Sequence, residues 1–396
     1  MTGLNGTAVR ERNMIAVLAR LRSMGTASRA DLAGAVGLDR STMTHIASSL
    51  LGSSLVESVT RSPSGSRGGR RAELLSVDRS TYAVAGCDIT STGARWVVTD
   101  LHGVTIAQGS VGPSLPAAHD TVRVHWFGSL LDDCALAITT ETPDRRIVGA
   151  GIALPGLFDR ARRRIVESFE LGLRDVELPA IWLAPDLRPD YANDATCYAW
   201  HAIASERTRS RTATDATNGP MNDSADGSRD AADGLYAFTK LHRDGDRFRP
   251  TGMGVGLVCV VGGSIVRGAN GGAGELRGYR WRPGSADQIG VDMERLRESD
   301  GEESALVAAA EELGRNLSVI ASALDPGRIV VAGDLFDTDA PAAALVRTLR
   351  SIERVQVAPA DATAVAAGAA EMAIDRLLTG RDWAGQTASS IVSMVG

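Results

Sequence analysis

The chain has 396 residues, of which 44% are hydrophobic, 23% charged and only 4% aromatic, with a formal net charge of −6. That length fits about two or three domains, each large enough for its own core. No stretch approaches the roughly 20 apolar residues of a membrane helix, and Arg10, Glu11, Arg12 and Arg20 argue against a secretory h-region at the start.

Charge is unevenly spread. Residues 1–79 hold eleven arginines against six carboxylates, a net of +5, which leaves −11 for the remaining 317 residues. A basic module on an acidic body is the pattern of a nucleic-acid-binding arm attached to a sensor. Lys240 is the single lysine among 42 basic residues, which reads as compositional bias rather than chemistry. The cysteines Cys87, Cys134, Cys197 and Cys259 are far apart, without a C-x-x-C pair or a disulfide framework. A cytoplasmic protein is expected.

In chain order, Met14, Val17, Leu18 and Leu21 fall at i, i+3, i+4 and i+7, which predicts an amphipathic helix ending near Gly25. Ser28-Arg29-Ala30-Asp31 resembles a capping box opening a second helix, which buries Leu32, Ala33 and Val36 and breaks at Gly37. Asp39 caps a third, with Met43, Ile46, Ala47 and Leu50 on its apolar face. Helix, Gly turn, helix is a helix-turn-helix signature. The third helix turns Arg40, Thr42, Thr44, His45 and Ser48 outward, side chains able to reach base edges and phosphates from a major groove. Leu55–Glu57 and Glu73–Val77 read as paired strands around the basic tip Ser64–Arg71, whose arginines suit a narrow minor groove.

From Tyr82 the pattern becomes α/β. Strands are expected at 82–89, 95–100, 104–111 and 147–154, with a helix over 117–140 between the last two. Further on come helix 304–324, strand 328–332, helix 342–350, strand 355–358 and helix 361–378, giving mixed sheets in two lobes. The polar run 205–233, nearly devoid of apolar anchors, reads as a disordered insertion.

Several short motifs together carry a family resemblance. Ser28–Ala33, Gly37–Thr42, Gly68-Gly69-Arg70-Arg71-Ala72, Asn193-Asp194-Ala195 and Gly268–Glu275 occur in the order and spacing of ROK-family repressors, and the match runs from about residue 13 to 378. The resemblance implies a winged helix-turn-helix over 1–78, followed by a two-lobed, actin-like sugar-kinase body with lobes at 79–190 and 191–396. It implies DNA contacts from Ser28, Arg29, Arg40, Ser41, Thr42, Thr44 and His45, and from the wing residues Arg67, Arg70 and Arg71. It assigns Asn193, Asp194 and Glu275 to a sugar, with Asp194 at the position of the kinase base.

The chain departs from the family at the phosphate loops. Asp88-Ile89-Thr90-Ser91-Thr92 stands where the family has Asp-x-Gly-Gly-Thr, so Asp88 and Thr92 survive while both glycines gain a Cβ. Gly252-Met253-Gly254-Val255-Gly256 replaces Gly-Thr-Gly-x-Gly, losing the hydroxyl. Gly278 stands where the family's zinc histidine would be, and no cysteine follows Cys259; no metal site and no cofactor are expected. These readings predict a non-enzymatic regulator, most simply a repressor. It would bind a duplex operator as a homodimer or homotetramer and answer to a sugar-type effector, away from any membrane. Two alternatives stay open: a bifunctional regulator that keeps sugar kinase activity, and a regulator whose body only oligomerises.

Overall fold

The computed structural model describes residues 6–59, 73–117, 119–159, 162–217, 233–243, 250–266, 273–278, 281–282, 287–298, 302–352, 354–359, 361–380 and 391. The wing tip with Arg67, Arg70 and Arg71, and the glycines 268–272, lie outside them.

The N-terminal module consists of α1 (Gly6–Met24), β1 (Thr26–Ser28), α2 (Arg29–Val36), α3 (Arg40–Gly52), β2 (Val56–Val59) and β3 (Leu74–Val77). Ser28 caps α2 through a reciprocal capping box with Asp31, and Gly37 ends it in the left-handed region at φ 69°. Strand β1, which the sequence reading missed, pairs antiparallel with β3 and completes a three-stranded β1-β3-β2 wing sheet. Three residues are too few to show an alternating pattern.

The body holds two five-stranded sheets of the same plan. In the first, β4 (Tyr82–Thr90), β5 (Gly93–Asp100) and β6 (Thr105–Val111) run antiparallel, and β7 (Arg146–Leu154) and β11 (Asp190–Asn193) join β4's side in parallel. Helix α4 (Asp120–Glu141) packs on the β5–β6 side, and a small sheet of β8 (Leu157–Asp159), β9 (Arg164–Ser168) and β10 (Leu173–Glu177) follows β7. The second sheet repeats the plan with β12 (Gly234–Arg243), β13 (Pro250–Val261) and β14 (Ser264–Ile265) antiparallel, and β15 (Ile329–Gly333) and β16 (Val355–Ala358) parallel to β12. Short helix α6 (Met293–Leu296), α7 (Glu302–Leu324) and α8 (Asp339–Thr348) complete that lobe. Because β11 belongs to the first sheet, the expected lobe boundary at 190/191 falls inside a strand; the first lobe's sheet ends at Asn193.

Two helices lie between the sheets. Helix α5 (Asp194–Thr217) packs on β12 and β13, and α9 (Ala364–Thr379) packs on β4, β7 and α5. They meet closely: a Cβ on Gly368 would stand 1.7 Å from the Cys197 carbonyl oxygen. Their shared core joins Ala153 and Ala192 of the first sheet to Tyr236, Phe238 and Val330 of the second. Helix α5 also corrects the first part of the expected insertion over 205–233, of which residues 218–232 lie outside the described residues. Helix continues to Thr217, supported by a Glu206–Arg209 pair at i,i+3 and by Arg328 reaching Glu206 at 3.8 Å. A polar run one helical face of which is anchored upstream at Tyr198 and Ile203 needs no further apolar residues to remain helical.

The module is not a bead on a string. Met14, Val17, Leu18 and Leu21 of α1 share one continuous core with Tyr82, Val84, Leu101, Ala370, Ile374 and Leu377 of the body, each large aliphatic contributing about 1.5–3 kcal/mol on full burial. Arg22 seals this junction: Nη2 donates to both Glu371 oxygens at 2.9 and 2.8 Å, and Nε to the Leu101 carbonyl at 2.7 Å. Tyr82 donates to the Ser53 carbonyl at 2.7 Å, and the His102 ring lies 3.0 Å from the Val77 carbonyl.

Candidate functional site

Helix α3 presents the first candidate surface. Met43, Ile46, Ala47 and Leu50 are buried, while Arg40, Ser41, Thr44, His45 and Ser48 are exposed. Asp39 organises the helix start, accepting from Ser41 Oγ at 2.6 Å, Thr42 Oγ1 at 2.6 Å and the Thr42 amide at 2.9 Å. Those bonds, the Ser41 hydroxyl first, hold its carboxyl well below the usual range. Several expected DNA contacts are therefore engaged within the module. Ser28 is bound in the capping box, Ser41 and Thr42 serve Asp39, and Thr44 Oγ1 donates to the Arg40 carbonyl at 2.8 Å. Arg29 pairs with Glu73 on the wing at 3.0 Å, tying α2 to β3. Arg40 and His45 remain the outward cation and ring of α3.

The second candidate is the cleft where the parallel strands of the first sheet end. Asn193 closes β11 and Asp194 opens α5, so the strand-to-helix turn itself aims them. Asn193 Nδ2 donates to the Gly156 carbonyl at 3.2 Å and its Oδ1 accepts from the Ala195 amide at 2.9 Å, which fixes the side chain. Glu275 forms an isolated antiparallel bridge with Gly256. At Gly256 an added Cβ would meet Ala195 Cβ at 2.3 Å and Asn193 Oδ1 at 3.4 Å. The absent side chain thus lets β13 carry Glu275 up to the Asn193-Asp194 turn. Burial first, then the Asp194 charge, raises Glu275 above the ordinary carboxylate range, and burial raises Asp194 likewise.

Gly252, Gly254 and Gly256 are not a phosphate loop. They lie inside β13, paired in register with His242, Lys240 and Phe238 of β12. The ladder holds their backbone, and Gln288 clamps the segment by accepting from the Val255 amide at 2.6 Å and donating to the Leu276 carbonyl at 2.9 Å. The first turn is closed by its own side chains, with Thr90 Oγ1 2.9 Å from Thr92 Oγ1 and donating to the Gly93 carbonyl at 3.0 Å.

Residues the sequence reading passed over complete the cleft. Glu170, between β9 and β10, accepts from the Ser91 amide at 2.9 Å and faces Lys240 Nζ at 3.1 Å. Lys240 also stands 3.7 Å from Asp194 Oδ2, and His242 Nδ1 lies 3.8 Å from Glu170. Asp88, buried on the central strand, is pushed up to about 6 by burial and by Asp194 and Glu170, against the pull of Lys240. The one available signal was the uniqueness of Lys240; Glu170 sits in an undistinguished hairpin turn.

At Gly278, where the resemblance places a zinc histidine, a Cβ would meet the Gln288 carbonyl oxygen at 3.0 Å, a tight contact. Among the described residues no group of three or more His, Cys, Asp or Glu is arranged to hold a metal ion, and no helix is long and apolar enough to cross a membrane.

No family model matches the chain. A proposed xylose repressor from a Caldicellulosiruptor strain is 22% identical over 273 residues, 69% of this chain; the match spans 59% of that relative's length. Among solved structures, a ROK-family transcriptional regulator, a homolog of the Escherichia coli MLC protein, superimposes with a TM-score of 0.64 over 93% of this chain and 98% of its own, at 16% identity. A ROK glucokinase from Streptomyces griseus, bound to glucose and AMPPNP, gives 0.51 over 74% of this chain and 99% of its own, at 17% identity. The regulator superimposes over more of this chain than the kinase does. The chain thus has the fold of these ROK proteins, a winged helix-turn-helix joined to a two-lobed, actin-like sugar-kinase body.

Proposed function

We propose that this chain is a DNA-binding transcriptional repressor controlled by a sugar-type effector bound between the lobes, without kinase activity of its own. The observation that carries the reading is a continuous mechanical path between the two candidate surfaces. Asp194 starts α5, α5 packs against α9 at Cys197 and Gly368, and Glu371 of α9 grips Arg22 of α1. An effector at Asn193, Asp194 and Glu275 would therefore bear on the N-terminus of α5 and, through α9, on the seating of the helix-turn-helix. Carboxylates and an amide suit a polyhydroxylated ligand, since each ionised oxygen accepts hydroxyl hydrogen bonds. The xylose and MLC regulators among the relatives favour the same reading.

The phosphate side supports the absence of kinase activity: Thr90 and Ser91 carry side chains at the family's glycine positions, and the Gly-x-Gly-x-Gly segment lies in a strand. One helix-turn-helix covers too little duplex for high specificity, so a two-fold operator bound by a dimer or tetramer is expected.

The test is selection of bound duplexes from a random pool, followed by gel shift with and without individual sugars. Arg40→Ala should weaken the selected site at one base position, and Asp194→Ala should keep basal operator binding while losing the sugar response. A sugar response that survives Asp194→Ala would remove the cleft from the reading; binding to all duplexes alike would remove the regulator.

A further inference from the structure

The phosphate side of the cleft is filled from within. Glu170, its side chain 3% exposed, sits on the Ser91 amide at 2.9 Å, in the very turn that the resemblance assigns to a phosphate group. Lys240, the chain's only lysine, places its ammonium 3.1 Å from that carboxylate and 3.7 Å from Asp194, with Asp88 beside it. His242 faces the same Glu170 oxygen at 3.8 Å. Burial opposes the lysine's charge, but Glu170, Asp88 and Asp194 outweigh it and hold the ammonium above the ordinary lysine range. Burial likewise opposes the Glu170 charge, and Lys240 and His242 hold it down to about 2.

Lys240 lies on β12 of the second sheet, whereas Glu170, Asp88 and Ser91 belong to the first lobe. The pair therefore spans the cleft. A phosphate group entering here must displace Glu170 from the Ser91 amide and set its own negative charges beside Asp88, Asp194 and Glu275. Lys240 is already shared among three carboxylates, Glu170, Asp88 and Asp194.

We propose that Lys240 is a built-in counter-ion that occupies the phosphate side of the cleft, so that the effector is an unphosphorylated polyhydroxylated molecule and neither nucleotides nor sugar phosphates enter. The second half rests on the effector reading above; the first half does not. At 3.1 Å the Lys240 ammonium and the Glu170 carboxylate form a charge-assisted pair across the cleft.

Because there is one lysine, full-length protein labelled with ¹³Cε-lysine gives one side-chain resonance. The expected result is an ammonium signal that does not titrate at the ordinary 10.5 and does not move with millimolar inorganic phosphate, MgAMPPNP or glucose 6-phosphate. Glu170→Gln frees the Ser91 amide of its anion and should let inorganic phosphate move the line. Should that variant fail to fold, the wild-type titrations decide. A saturable shift of the wild-type line with any of the three phosphates, or ordinary titration, overturns the proposal. Thermal melts against neutral pentoses and hexoses and their phosphates test the other half. Stabilisation by a neutral sugar alone supports it, and stabilisation by a sugar phosphate overturns it. Stabilisation by neither, with the lysine line behaving as expected, overturns the effector half together with the reading it rests on and leaves the counter-ion half supported.

Discussion

At the starts of α2 and α3, polar side chains are satisfied by neighbours a few residues away: Asp39 by Ser41 and Thr42, Ser28 by Asp31, Thr44 by the Arg40 carbonyl. In the cleft the partners come from far along the chain, with Glu170 meeting Ser91 and Lys240, and Lys240 meeting Asp194. The first set is exposed and leaves its outer groups to a partner; the second is buried and neutralises itself. The same residue types therefore serve opposite ends, and water access is what separates them. Exposed pairs contribute at most about 1 kcal/mol, whereas removing one member of a buried pair leaves an uncompensated charge at about 3–5 kcal/mol.

The largest effect that would test this contrast is Lys240→Met. It strands Glu170, Asp194 and Asp88 together and should lower the unfolding free energy by about 3–5 kcal/mol in chemical denaturation. Lys240→Arg should recover part of that loss because it restores the charge. A loss of under about 1 kcal/mol for Lys240→Met would place the cleft pair in the same class as a surface pair.

Next in size is the junction of the two interior helices. Gly368→Val forces a side chain against the Cys197 carbonyl, where even a Cβ would sit at 1.7 Å. About 1–3 kcal/mol of overpacking is expected, along with a weakened sugar response at unchanged Arg40 chemistry, readable by gel shift. On the DNA side, Arg40→Ala should cost about 1–3 kcal/mol in operator affinity if the guanidinium reads a base, with melting temperature unchanged. Arg29→Ala, which breaks a pair whose members are 35% and 47% exposed, should cost at most about 1 kcal/mol of stability. A larger loss there would show that α2 depends on the wing strand as the cleft depends on Lys240.

The two regions also differ in how much of them was legible in the sequence. Helix periodicity, the capping box at Ser28 and the glycine at 37 are local signals, and the helices appear where they indicate. The Asn193-Asp194 turn was readable because it lies on one strand–helix junction. Glu170, Lys240 and Gln288 were not, because what places them is strand register between β12 and β13 and a hairpin reaching across from the first lobe. Composition deceived in both directions. The segment 252–256 looks like a loop by composition but is a strand thinned to admit Ala195 and Asn193, and the polar run after Ser205 looks like disorder but continues α5 to Thr217. Composition reports solubility and flexibility well; it does not report what a neighbouring element requires.

The smallest predicted effect is a pH dependence at the seam between the two regions. His102 follows the end of β5, its ring 3.0 Å from the Val77 carbonyl of the wing sheet. Burial lowers its pKa below the ordinary 6.5, partly offset by that carbonyl and by Asp100. The unfolded chain then binds the proton more readily than the folded one, so stability rises with pH across the window below 6.5. His102's contribution is fully present above 6.5 and is lost as pH falls toward its folded value, with a slope of at most about 1.4 kcal/mol per pH unit. Asp88 runs the other way: raised from 3.8 to about 6, it favours the folded state at low pH, and that advantage is lost as pH rises through about 6. The two partly cancel in the wild type. His102→Gln removes only the seam's share, leaving His201, whose pKa is also lowered by burial, and the cleft carboxylates in place. Urea unfolding at a series of pH values below 6.5 should show a flatter rise of stability with pH in this variant than in the wild type. Identical slopes would mean that the ring at the seam does not sense its burial, and that the module is held to the body by its shared core, Arg22 and the Tyr82 hydroxyl.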